Sequence, residues 1–289
     1  MARPRTLLLP PRLTGSVEAV RAATEARGLT TVQLPAFDLP EGIAAEHLHA
    51  GPTFADAVAP SLGIACLEAP PTWLADLPRE VVGRTITAMP IRDAWTLRYP
   101  AFIKAPNDKS LRAMVYTDGT RLPGADAVDL DTLVLVAEIV SFTAEFRLYA
   151  LDGTIHTSSQ YSAHGGRCLA PLPDDVASAA AALIRDLAET LPSAIVVDVG
   201  LLDDRLVVIE ANAAWASGTY ACDVDRALDV ILRAAGPVAG LLRRDEAFTR
   251  PVPGQPSSQG TRRTISEPAR AATVAHREPP PSEARPARR

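Results

Sequence analysis

The chain has 289 residues, 47% of them apolar, and a net charge of −5, which allows a sizeable core and one or two domains. No apolar run reaches the ~20 residues that cross a bilayer, and Cys66, Cys168 and Cys222 are too few and too scattered for a disulfide framework or a zinc pattern. The expectation is therefore a soluble, cytoplasmic protein with no membrane partner.

Charge is spread unevenly. From Arg250 onward eight arginines face three glutamates, so this stretch carries +5 and residues 1–249 carry −10. An acidic body argues against nucleic acid as a partner, because phosphate binding needs a basic face.

Thr6–Leu9 reads as a first strand rather than as part of a signal segment, since Pro10 and Pro11 cut the apolar stretch short. Ser16–Arg27 reads as a helix stopped by Gly28, Thr31–Leu34 as a strand, Thr53–Leu62 as a helix and Ile64–Leu67 as extended. Pro70–Pro78 is a proline-bounded segment around Trp73. This alternation predicts a small α/β unit over 1–84 with a mostly parallel sheet. From Thr85 the pattern changes. Tyr99–Ala105, Ala113–Tyr116, Thr132–Ala137 and Glu145–Leu151 read as strands, with Thr154–Ser158 pairing back across an Asp152-Gly153 turn. Asp174 is expected to cap a helix reaching about Leu191, and Asp223 one that Gly236 ends. Ala194–Gly200 and Leu206–Asn212 complete an α+β layout. The segment 246–289 is rich in Pro and Arg and poor in large apolar residues, which predicts a disordered tail.

The most informative segment is the strand pair holding Asp198, Glu210 and Asn212. A three-residue loop, Asp203–Arg205, would pair Leu202 with Leu206 and set Asp198 opposite Glu210, on the face shared by Asn212. Two carboxylates ~5 Å apart across a strand pair repel. A shared proton answers that, and so does a divalent cation, for which two carboxylates and an amide oxygen form a hard set suited to Mg²⁺. A polar face open to solvent is the simpler alternative. Against it, Val196, Leu206 and Val208 on that face suggest a covered surface.

Of the 29 lysines and arginines only Lys104 and Lys109 are lysine, and both lie within six residues, at and just after a strand end. A compact ammonium there suits phosphate oxygens, although codon bias explains the count as well. The apolar strand before Glu138 and Val140 leaves its sheet near those residues, where free backbone groups pair with a purine edge. Glu145, Arg147 and Tyr149 share a strand face, and Arg147 suits a carboxylate or phosphate. Ser158–Ser162 with His164–Arg167 reads as a substrate loop, and Trp215, Ser217 and Gly218 as an acceptor pocket.

In this order, a strand ending in Phe102-Ile103-Lys104, a strand closing on Glu138-Ile139-Val140, Glu145-Phe146-Arg147, Asp198, then Glu210-Ala211-Asn212, the chain resembles the ATP-grasp superfamily over roughly Thr85 to Gly236. The resemblance implies an ATP-grasp fold of two α+β subdomains at 85–245, preceded by the α/β unit, with ATP and Mg²⁺ as cofactors. It implies phosphate contacts from Lys104 and Lys109, adenine at Glu138 and Val140, ribose at Glu145, metal at Asp198, Glu210 and Asn212, and Arg147 with Lys104 as catalytic groups. The implied activity is an ATP-dependent ligase joining a small-molecule or peptide carboxylate to an amine or thiol, with a homo-oligomer left open. The sequence departs from the superfamily in lacking a glycine-rich phosphate loop after Lys104 and an arginine after Asn212. A non-catalytic nucleotide- or peptide-binding module, with the arginine-rich tail as its working part, is the alternative. A metal-dependent hydrolase is a third reading, which the scattered histidines His47, His49, His156, His164 and His276 do not support.

Overall fold

A computed structural model of the chain describes residues 5–107 and 110–252. Lys109 and the tail beyond Val252 lie outside the described residues. The first unit is built as alternation predicts. Strands β1 (Thr6–Leu9), β2 (Thr30–Gln33) and β3 (His47–Leu48) form a parallel sheet in the order β2-β1-β3. Helix α1 (Gly15–Ala26) starts at Thr14, whose hydroxyl accepts from the Val17 amide, and ends before Gly28 at φ +73°. Helix α2 (Pro52–Leu62) has its proline in the first turn, where no amide partner is lost, and Gly63 at φ +64° after its end.

Strand β4 (Ile64–Cys66) does not join that parallel sheet. It pairs antiparallel with a strand from much later in the chain, described below. Helices α3 (Trp73–Asp76) and α4 (Arg79–Val82) follow. Strand β5 (Ile86–Pro90), helix α5 (Ile91–Ala94) and strands β6 (Ala101–Lys104), β7 (Met114–Tyr116) and β8 (Leu133–Ala137) build an antiparallel sheet in the order β5-β8-β6-β7. Lys104 is the last residue of β6.

The larger sheet has the order β11-β10-β9-β12-β13, from β9 (Ala144–Leu151), β10 (Thr154–Ala163), β11 (Gly166–Ala170), β12 (Ala194–Leu202) and β13 (Arg205–Asn212). Helix α6 (Asp174–Leu187) connects β11 to β12. Its N-cap is Pro173 rather than Asp174, which lies in the first turn, where its charge suits the helix dipole. Helix α7 (Val224–Ala234) is capped by Asp223, whose carboxylate accepts from the Arg226 amide, and β14 (Ala235–Pro237) returns to pair with β4.

Three hairpins turn on pairs of residues in the left-handed region: Asp152-Gly153, His164-Gly165 and Asp203-Asp204, with φ between +49° and +74°. Two-residue turns of this kind match the right-handed twist of the strands they join. The expected substrate loop at Ser158–Ser162 and His164–Arg167 is instead the second half of β10, a tight turn and the start of β11. A sequence of small polar residues reads as loop, yet alternate side chains of β10 are covered by neighbouring elements.

The large sheet is packed on both faces. Odd residues of β12 (Ile195, Val197, Val199) meet α6, α3 and α4 in one core, while Val196 and Tyr149 meet β1, α2 and α7 in another. Trp215 is fully buried in the second core and its indole N–H donates to the Leu67 carbonyl, so it is core rather than pocket lining. The folded body also runs past residue 245. Thr249 bridges Leu67, and Arg250 donates to both Asp56 oxygens (2.7 and 2.9 Å) and to Glu68 (2.8 Å).

Candidate active site

The site forms on one face of β9, β12 and β13. Asp198 stands opposite both Arg147 on β9 and Glu210 on β13, and Val196 stands opposite Asn212. The expected opposition of Asp198 and Glu210 is present, but the chain reaches it by another route. The hairpin loop is two residues long, pairing Leu202 with Arg205 and Leu201 with Leu206, and a bulge between Asp198 and Val199 adds one residue to β13. The bulge also swaps the faces of β13 on its loop side. Leu206 and Val208, not Val207 and Ile209, join Val197 and Val199 in the core. The surface around the carboxylates is covered, as the apolar residues there suggest: Asp198 is 2% exposed.

Each carboxylate has a cation. Arg147 grips Asp198 through Nε to Oδ1 (2.9 Å) and Nη2 to Oδ2 (2.7 Å), and its Nη1 donates to the Gly218 carbonyl at 2.9 Å. Lys104 reaches from the smaller sheet to Glu210 Oε2. The Asn212 amide nitrogen bridges the two acids, donating to Asp198 Oδ2 (3.1 Å) and Glu210 Oε1 (2.9 Å). The repulsion argued from the strand register is thus offset by two fixed cations, a solution that requires the two sheets to meet.

Electrostatics follow from this pairing. Burial pulls the Arg147 guanidinium down, but the Asp198 carboxylate outweighs it and holds Arg147 as a cation. Burial likewise favours a neutral Glu210, yet Lys104 and then Asn212 bring its carboxyl below the usual value. Burial raises the Asp198 carboxyl against the pull of Arg147.

Two tyrosines complete the rim. Tyr161 donates to Glu145 Oε2 at 2.8 Å and stacks on Tyr220 with ring centroids 4.8 Å apart. The Arg147 guanidinium lies 4.6 Å from the Tyr220 centroid. Burial, then Asp198 and Glu145, push the Tyr161 phenol far up, so it stays a donor. Tyr220 has φ +49°, a conformation that an aromatic residue adopts at a cost. Nothing in the pattern around Tyr220 singles it out, whereas Tyr161 was hidden in a segment read as loop.

The structure brings together Lys104, Glu145, Arg147, Asp198, Glu210 and Asn212. Glu138 stands apart from these contacts. It is exposed, accepting from the Thr85 amide (2.8 Å), the Thr85 hydroxyl (2.9 Å) and Arg79 (3.2 Å). Val140 is half-buried in the connector that leads from β8 in one sheet to β9 in the other. Ser217 and Gly218 border Arg147 and Tyr149, whose hydroxyl donates to the Ser217 carbonyl at 3.1 Å.

Fold and site together define a nucleotide-dependent class of protein. Residues 82–230 match the model of an ATP-grasp domain family, the second family of its clade, and since the match spans more than half of the chain, the chain belongs to that ATP-grasp family. No curated protein matches the sequence. Among solved structures the chain is similar to a RimK domain protein ATP-grasp from Sphaerobacter thermophilus DSM 20745, with 16% identity, 79% of this chain and 99% of that one covered and a TM-score of 0.46. It is also similar to the ATP-grasp ligase PsnB complexed with minimal precursor (14% identity, 80% and 99% covered, TM-score 0.45). D-alanine--D-alanine ligase from Bacillus anthracis is a third such neighbour (12%, 79% and 96%, 0.46). The identification rests on the family match.

Proposed function

We propose that this protein is an ATP- and Mg²⁺-dependent ligase that phosphorylates a substrate carboxylate and passes the acyl group to an amine or, as the lesser option, a thiol. One observation carries the reading. Two opposed, buried carboxylates with an amide between them sit where Lys104 of one sheet meets Arg147 of the other.

The donor chemistry fits a hard cation: the set offers four carboxylate oxygens and the Asn212 amide. When bound there, Mg²⁺ would bridge phosphate oxygens and offset their charge. Lys104 has a flexible stem and swings from Glu210 to a phosphate without backbone movement. Arg147, held flat by Asp198 and Gly218, presents its remaining surface to the acceptor carboxylate or the transferred phosphoryl group. The connector at Glu138 and Val140 would take the adenine and Glu145 the ribose, the latter steadied by Tyr161. Lys109 is proposed as a second phosphate contact.

The test is ADP release by the full chain with ATP, Mg²⁺ and pooled amino acids or peptides. The expected outcome is acceptor-dependent release that falls by about 10²-fold or more in Asp198→Asn and Glu210→Gln, the scale seen when transition-state charge stabilisation is removed. Parent-like binding and turnover in those variants would sink the site assignment. Mg-ATP binding without turnover under every acceptor mixture would favour a non-catalytic module.

A further inference from the structure

Arg84 is 6% exposed, and among the described residues no carboxylate lies within ion-pair distance of it. It follows Gly83, the left-handed residue that ends α4, and a Cβ on Gly83 would come within 2.8 Å of Leu202 and 3.1 Å of Val207. The chain therefore enters hard against the β12–β13 hairpin, and Arg84 points along β13. Its Nη1 donates to the carbonyls of Val82 (2.7 Å) and Val208 (2.9 Å), and its Nη2 to that of Ile209 (2.9 Å). Its guanidinium also lies 5.5 Å from the Phe142 ring centroid. Burial pulls it down to about 10, with Glu210 pulling the other way, so it remains a cation at neutral pH.

The pair of acceptors is informative. In a regular strand successive carbonyls point to opposite sides, so one side chain cannot bond both. Val208 and Ile209 turn both carbonyls to the same guanidinium because they sit at the bulge, where one residue of β13 is unpaired. Without the bulge, the register set by the Asp203-Asp204 turn would continue. Asp198 would then face Ile209, and Glu210 would fall opposite Val197, on the face packed into the apolar core.

We propose that Arg84 is a positioning residue for the carboxylate cluster: by holding the Val208 and Ile209 carbonyls it maintains the bulge that places Glu210 beside Asp198. Its consequence for metal binding rests on the function proposed above; its consequence for strand register does not.

The test compares full-length parent, Arg84→Met and Arg84→Lys, each alone and combined with deletion of Ile209, with Arg233→Met as a surface control. Deleting Ile209 removes the extra residue while leaving Asp198 opposite Glu210, so Arg84 should become dispensable. The readouts are Mg²⁺ half-saturation of ATP turnover or binding, and hydrogen exchange of β13 amides. Arg84→Met is expected to raise Mg²⁺ half-saturation about tenfold or more, matching the loss of roughly one charged hydrogen bond. It should speed exchange in β13 more than in β9 or β10, and Arg84→Lys should fall between it and parent. The Ile209 deletion should restore Arg84→Met to near the parent's Mg²⁺ dependence. Absence of that rescue, or parent-like β13 exchange in Arg84→Met, overturns the proposal. If Arg84→Met does not fold, Arg84→Lys with and without the deletion decides by the same criteria. A parent that binds no Mg-ATP removes the functional reading, while exchange still decides the role of Arg84.

Discussion

His49 shows how much a single residue contributes away from the site. It is 2% exposed, its Nδ1 meets no hydrogen-bond partner among the described residues, and burial lowers its pKa to about 4 from an ordinary 6.5. With the folded value below the unfolded one, the unfolded chain takes up the proton first. Stability is therefore fully present above pH 6.5 and is lost as pH falls towards 4. At ~1.4 kcal/mol per pH unit this amounts to about 3 kcal/mol. Melting temperature followed from pH 7 to pH 4 should show that loss, and His49→Gln should flatten it. An unchanged slope in the variant would mean that other groups drive acid unfolding. Arg84 and His49 share a lesson: a polar residue in an apolar stretch is the one legible signal that either does more than face solvent.

At the scale of elements, β12 and β13 decide the site, and Gly200 shows how tightly they are built. A Cβ on Gly200 would lie 2.8 to 2.9 Å from the Phe142 ring and 3.0 Å from Ile209. Phe142 belongs to the connector between the sheets, so Gly200→Ala must push the connector away or strain the bulge. Overpacking of this kind costs ~1–3 kcal/mol, and urea unfolding should show it. A neutral Gly200→Ala would mean that the connector yields freely. The opposition of Asp198 and Glu210 was legible from side-chain alternation. The bulge was not, because nothing in Leu206–Asn212 distinguishes a three-residue loop with regular pairing from a two-residue loop with one extra residue. Both bring the same acids together, while only the second leaves two carbonyls facing Arg84.

For the whole molecule, the ends of the described chain are joined through one core. Leu7, Leu48 and Phe54 pack with Trp215, Leu228 and Ile231, and β14 pairs with β4. Arg250 closes this arrangement by holding Asp56 and Glu68, and burial raises the Glu68 carboxyl against the pull of Arg250. Removing the cation leaves a buried acid unpaired. Arg250→Met should therefore lower stability by ~2–3 kcal/mol, the range for charged hydrogen bonds lost in partly buried settings, and thermal unfolding measures it. A change within error would show that Asp56 and Glu68 rehydrate without cost. The composition shift near Thr249 hid this contact, since an arginine at the edge of a Pro- and Arg-rich stretch looks like part of it.

Local pattern by itself determined the α/β start, the strand faces, the Asp152-Gly153 turn, and the placing of Lys104, Arg147, Asp198, Glu210 and Asn212 on strands, because period and turn chemistry are properties of neighbouring residues. Only the tertiary structure decided that Lys104 and Arg147 each neutralise one carboxylate, that Tyr161 and Tyr220 cover Arg147, and that Arg84 grips the bulge. Those contacts join residues 16 to 125 positions apart, and how a folded chain brings such distant side chains within 3 Å is set by how its layers pack.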